Sequence, residues 1–185
     1  MSDQPEARRD GDVTVEASAA LTRLNNLTPE EARGELLKCC GSTRWAEGVT
    51  AARPFRDARE LSETADRVWH ESDADDWLEA FRSHPKIGER RAAHEVAAQS
   101  SRWSEEEQSE ARPSAETTTA LAAANREYEE RFGFIFIICA TGKTSDEMLA
   151  ALRARLGNER DAELRVAAEE QRRITHLRLR KLLNV

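Results

Sequence analysis

Cysteine, glycine, proline and long apolar runs are all scarce in this 185-residue sequence, and each scarcity excludes something. Cys39, Cys40 and Cys139 cannot build a disulfide framework, since two of the three are adjacent. They form neither a Cys-x-x-Cys pair nor a Cys/His cluster at zinc-ligand spacing, so a reduced, intracellular protein without a structural metal is expected. No apolar run approaches the roughly 20 residues that span a bilayer. The opening Met1-Ser2-Asp3-Gln4-Pro5-Glu6 has no apolar stretch behind a basic one, and the closing Leu183-Asn184-Val185 is not a peroxisomal address. A cytoplasmic location is therefore the expectation. A formal charge of −7 argues against a nucleic-acid binder, although a local basic patch is compatible with it. Neither a Gly-rich phosphate loop nor a Gly-x-Ser-x-Gly elbow is present.

What remains is rich in helix formers. Charged residues make up 34% of the chain, Gly and Pro number only 8 and 5, and Ala, Glu, Arg and Leu dominate while Tyr and Ile are sparse. That composition predicts an all-α fold: a single compact helical domain of about eight helices, long enough to bury its own core. Residues 1–12 are polar and predict a disordered tail, with the helical domain spanning 13–185.

Local signals place the helices. Thr28-Pro29-Glu30-Glu31 reads as a capping box with Pro at the first helical position, and the helix it opens should stop at Gly41 as a C-terminal glycine. Further helices are predicted over about 42–50, 62–71 and 73–83. Others should follow Gly88, start at Ser104, span 115–131, open at Thr144 and run from about Asp161 to Leu183. The run from Phe132 to Ala140 is the one β-like stretch. A lone strand has no partner, so a buried helical or extended segment is expected there.

Three places carry candidate chemistry. His84-Pro85-Lys86-Ile87-Gly88 fixes an imidazole on a stiff, non-helical corner, where it serves either as a surface loop residue or as a proton-transfer group near neutrality. Ser104 and Glu107 make a second capping box. The same geometry puts Ser104, Glu107 and Gln108 on one face of a helix start, where free N–H groups bind anions. Arg178 falls in the middle of the apolar stripe Leu164, Ala167, Ala168, Ile174, Leu182, with Gln171 beside it. A charge there needs either an internal ion pair or a ligand carboxylate. Arg172, Arg173 and Arg180 read as solvated charges, and Cys39-Cys40 as core packing.

These segments, in order, resemble the OHCU decarboxylase family (2-oxo-4-hydroxy-4-carboxy-5-ureidoimidazoline decarboxylase). Leu24-Asn25-Asn26-Leu27, Cys39-Cys40-Gly41-Ser42-x-x-Trp45 and Arg53-Pro54-Phe55 are similar to its N-terminal part. Asp76-Trp77-Leu78-Glu79-Ala80-Phe81 then leads into the His-Pro-x-Ile-Gly signature, and Ser104-x-x-Glu107-Gln108 follows. The apolar segment and Ile174-Thr175-His176-Leu177-Arg178-Leu179 complete the match from about residue 20 to 183. Ile135 stands where some members carry Pro.

The resemblance implies a helical homodimer acting after urate oxidase and 5-hydroxyisourate hydrolase. It would take the small molecule OHCU to (S)-allantoin with loss of CO2 and no cofactor. It implies His84 as catalytic proton donor and Glu107 as catalytic carboxylate. Pro85, Ser104, Glu105, Glu106, Glu107, Gln108, Phe136, Ile137, Ile138, Cys139, Ala140 and Arg178 would contact substrate. The chemistry suits such residues: the substrate's conjugated imine takes the electron pair, and the protein orients the carboxylate and delivers a proton. Two other classes stay open, a helical interaction module and a hydrolase that activates water with the same His and Glu.

Overall fold

Side-chain caps set most helix starts. In this computed structural model, which describes residues 19–84, 103 and 115–185, residues 19–26 form α1. Thr28 then opens α2 (Pro29–Cys39): its hydroxyl accepts the Glu31 N–H at 3.3 Å, and Glu31 accepts the Thr28 N–H at 2.9 Å. Ser42 caps α3 (Thr43–Ala51), Asp57 caps α4 (Ala58–His70) and Asp73 caps α5 (Ala74–Arg82). After α6 (Ala115–Phe132), Thr144 opens α7 (Ser145–Arg155) with a reciprocal box to Glu147, and α8 (Arg160–Leu183) closes the chain. No strand occurs among the described residues, as the all-α expectation requires. The tail expected over residues 1–12, the helices expected after Gly88 and from Ser104, Pro85, and the whole of 104–108 lie outside the described residues.

The sequence reading placed no helix over 19–26, where α1 lies, and three further expectations needed correction. The fourth helix starts about four residues early, because the Asp57 carboxylate accepts the Glu60 N–H at 2.8 Å and nucleates it. Gly41 is not a left-handed helix terminator: α2 ends at an extended Cys40 (φ −143°, ψ 122°). Gly41 instead permits a close approach, since a Cβ there would lie 2.4 Å from Ser83 Cβ at the end of α5.

The last helix is the centre of the molecule. Along one face it buries Leu164, Ala167, Ala168, Gln171, Ile174, Thr175, Arg178, Leu179 and Leu182 against α2, α4 and α5. Trp69 of α4 donates its indole N–H to the Ala168 carbonyl at 3.0 Å, and Trp45 of α3 does the same to Ala65 of α4 at 3.0 Å. A truncation of such a buried aromatic costs about 3–5 kcal/mol. Asp66 adds a charged tie between α4 and α8, holding Arg172 at 3.0 Å and His176 at 2.7 Å. Arg172 is therefore a half-buried, ion-paired residue and not the solvated charge its sequence position suggested.

The apolar run resolves as a non-helical segment, 135–140, that follows a bend at 133–134 and packs inside the helical domain. Without a neighbouring strand, its backbone bonds to side chains: Arg155 donates to Ile137 O at 2.8 Å, Lys143 to Cys139 O at 2.9 Å, and Cys139 N–H donates to Glu170 at 2.7 Å. The N-terminal motifs serve structure as well. Asn25 brackets the Phe55 peptide with bonds of 2.8 and 2.9 Å, and Arg53 donates to Leu24 O and Leu27 O at 2.6 and 2.9 Å.

Candidate active site

The position of His84 follows from the end of α5. Its N–H still bonds to Phe81 O at 3.1 Å, one residue after the last regular turn, so the backbone is held while the ring leaves the helix. Phe81 is buried against Phe134, with ring centroids 5.7 Å apart. Glu79, one turn back, accepts both the N–H and the hydroxyl of Thr43 at 3.0 and 2.7 Å, fastening α5 to the start of α3. The Gly41–Ser83 approach completes the clamp. These contacts fix where the imidazole projects.

The ring is buried rather than displayed on the surface, with 8% exposure. The surface-loop alternative is thereby overturned. Its Nε2 lies 2.7 Å from Oε1 of Gln171, a fully buried residue of α8. Burial first, and the positive charge of Arg178 second, push the His84 pKa down to about 3, while the Gln171 bond pulls the other way. The unliganded ring is neutral near pH 7. Arg178, two turns beyond Gln171, is 1% exposed, and its guanidinium lies 3.5 Å from Lys38 O at the end of α2. Its charge also reaches Cys39 and Cys40. Burial nevertheless pushes both thiols up, Cys40 to about 12, which matches the core-packing reading and removes them as nucleophiles.

A second buried polar cluster lies at the opposite end of α8. The Glu163 carboxylate, wholly buried, accepts from Tyr128 OH, from Arg155 Nε at 2.7 Å and from Asn158 Nδ2 at 2.7 Å. Arg155 also stacks over the Phe136 ring at 4.6 Å. This cluster escaped the sequence reading, although Glu163 lies beside the same apolar stripe that drew attention to Arg178. It positions the non-helical segment by gripping Ile137 O and the Phe136 ring.

The expected substrate-contact residues thus fall into three groups. His84 and Arg178 come together around Gln171 in the interior. Phe136, Ile137, Ile138 and Ala140 are buried and Cys139 partly so, on a segment joined to α8 through the Cys139–Glu170 bond next to Gln171. Pro85, Ser104, Glu105, Glu106, Glu107 and Gln108 lie outside the described residues. Gln171 and Thr175 were the functional candidates missed, and polar side chains at the 3–4 spacing of an apolar face were the available signal. A separate surface cavity of about 610 Å³ between α2 and α3 is lined by Pro29, Glu30, Arg33, Glu47, Thr50, Ala51 and Arg53. It contains no imidazole and none of the expected residues. Its arginines are engaged, Arg33 with Glu47 at 3.2 Å and Arg53 with backbone carbonyls.

Known proteins similar to this chain share one theme. The sequence pattern of the OHCU decarboxylase family matches residues 25–180. The "Uric acid degradation bifunctional protein TTL" of Arabidopsis thaliana is 42% identical over 149 residues, covering 79% of this chain; the chain spans only 45% of that longer protein. The 2-oxo-4-hydroxy-4-carboxy-5-ureidoimidazoline decarboxylase of Haloferax volcanii is 31% identical over 160 residues, or 86% of this chain and 91% of that one. Among solved structures, an OHCU decarboxylase crystallised in the presence of (S)-allantoin superposes with a TM-score of 0.71 at 39% identity, covering 82% of this chain and 99% of that chain. An (S)-allantoin synthase structure, at TM-score 0.64 and 20% identity over 88% of this chain and 53% of that one, shares the fold.

Proposed function

The chain belongs to the OHCU decarboxylase family, and we propose from that premise that His84 and Arg178, with Glu107, form the centre that converts OHCU to (S)-allantoin. The protein is a carboxy-lyase of urate degradation. The observation that carries the site assignment is the buried, neutral His84 ring held by Gln171 next to the Arg178 cation.

The reaction asks for this combination. The bond from C4 of the substrate to its carboxylate breaks, CO2 leaves, and the electron pair moves into the conjugated C5=N bond, where the nitrogen takes a proton from solvent. The resulting enol loses its hydroxyl proton as C4 becomes a carbonyl, and C5 gains a proton on one face. OHCU anion plus one proton therefore gives allantoin and CO2. Arg178 binds an anionic part of the substrate through its planar fork. His84 delivers the C5 proton, and its fixed approach makes the product one enantiomer. Glu107 holds the hydroxyl or ureido N–H groups, and Pro85, Ser104, Glu105, Glu106 and Gln108 are further substrate contacts. Phe136 to Ala140 contribute substrate contacts partly through backbone groups, those other than Ile137 O and the Cys139 N–H and carbonyl, which Arg155, Glu170 and Lys143 already hold.

The same reading includes a homodimer in the cytoplasm, the first part of which sedimentation of the purified chain checks. No described helix is long and apolar enough to cross a membrane. The decisive experiment follows allantoin formation by circular dichroism from freshly generated OHCU. A folded His84→Ala variant should lose about 100-fold or more of the enzymatic rate. Full rate in that variant would remove His84 from the chemistry and favour the interaction-module alternative.

A further inference from the structure

An imidazole can move a proton through either nitrogen, and its neighbours decide which. Around His84 that decision is made by a short chain of bonds on α8. The Thr175 hydroxyl donates to the Gln171 main-chain carbonyl at 3.0 Å, so its oxygen is left to accept. The Gln171 side-chain NH2 donates into that oxygen at 3.2 Å. With its nitrogen committed to Thr175, the amide presents Oε1 to His84 Nε2, 2.7 Å away. A carbonyl oxygen accepts only, so Nε2 must carry hydrogen in both charge states of the ring.

Resting on the reading of His84 as the proton-transfer group, we propose that Gln171 is a positioning residue. It locks His84 as the Nε2–H tautomer, so that Nδ1 alone exchanges a proton with the substrate. The charges facing the ring agree with this division. From α8 comes Arg178, and its charge opposes protonation of the ring. At the end of α2, the Cys39 and Cys40 thiols beside Arg178 are held neutral by burial and add no charge. On α5 itself, Glu79 is turned away to Thr43. The ring therefore enters the reaction neutral, with a bare Nδ1. It takes up the proton of the C4 hydroxyl there as the enol collapses and returns it to C5, while Nε2 never releases its own hydrogen. Thr175 acts one step further back, by fixing which way the Gln171 amide points.

The first test needs no substitution. Long-range proton–nitrogen correlation spectra of the ¹⁵N-histidine-labelled protein, with His84 assigned by its loss in His84→Asn, should give Nε2 a protonated shift and Nδ1 an unprotonated one. The reverse pattern would overturn the proposal. Gln171→Leu should mix the tautomers and lower kcat about 10- to 100-fold while KM stays within about threefold. Gln171→Glu retains an acceptor and should restore the tautomer, but its charge should move the pH–rate profile upward by about one unit or more. Thr175→Val should loosen the amide and fall between wild type and Gln171→Leu, whereas Thr175→Ser should behave as wild type. A Gln171→Leu protein that melts earlier but keeps the wild-type kcat, pH profile and tautomer would show a merely structural role and end the proposal. His84→Ala keeps the two questions apart: loss of activity there with none in Gln171→Leu refutes only the role of Gln171, and no loss in His84→Ala refutes the site itself.

Discussion

The two ends of α8 bury polar groups in opposite ways. Near its start, Glu163 and Arg155 cancel each other's charge, and Tyr128 and Asn158 fill the remaining carboxylate positions. Toward its end, a neutral imidazole lies beside a guanidinium whose charge resists its protonation. Matched charges make a rigid joint, whereas an imidazole kept neutral next to a cation is held ready for a proton and an anion to arrive together. One helix thus carries a fastening and the proposed reaction centre about two to four turns apart. The fastening serves the centre, because Arg155 also grips the non-helical segment through Ile137 O and Phe136.

The two clusters should respond differently to perturbation, one in stability and the other in activity. Glu163→Ala leaves Arg155 buried without its carboxylate and should cost about 3–5 kcal/mol of stability, read from urea unfolding. His84→Asn should leave unfolding at pH 7 close to wild type while activity collapses. Equal destabilisation by both would erase the distinction.

Acid titration gives the next effect in size. The His84 pKa is about 3 when folded, against a usual value of 6.5, so the unfolded chain binds the extra proton first. The stability owed to a neutral His84 is complete above about pH 6.5 and is lost as pH falls toward 3, at up to about 1.4 kcal/mol per pH unit. Unfolding curves of wild type and His84→Asn measured from pH 7 to 5 should differ by that slope, and parallel curves would show that the ring is solvated. The smallest effect is chemical. A thiol reagent should label Cys139 in the native protein and reach Cys39 and Cys40 only after unfolding, given their burial. Rapid native labelling of all three would mean that the packing around Cys39 and Cys40 opens freely.

Much of the architecture was legible in the sequence because caps are local. Thr28, Ser42, Asp73 and Thr144 act on amides two or three residues away, and their helices begin where those side chains predict. Asp57 was passed over, as Pro54 and Phe55 mask the start of its helix. Gly41 was misread for a different reason: its neighbour Ser83 is 42 positions distant in the chain and invisible to any local pattern. For the site, a charged residue on an apolar stripe pointed to Arg178. The partners of that residue type could not be chosen without the fold, and Gln171 was noticed but given no task.

The sequence by itself determined most of the described helices, their order, the apolar face of α8 and the family, since all of these rest on periodicity, capping and motifs carried by neighbouring residues. Tertiary structure alone decided that His84 is buried and neutral, that Gln171 faces its Nε2, and that Glu163 is matched by Arg155. Each of those depends on desolvation and on charges brought together from distant positions. A proton-transfer group takes its character from what surrounds it, and those surroundings exist only once the chain has folded.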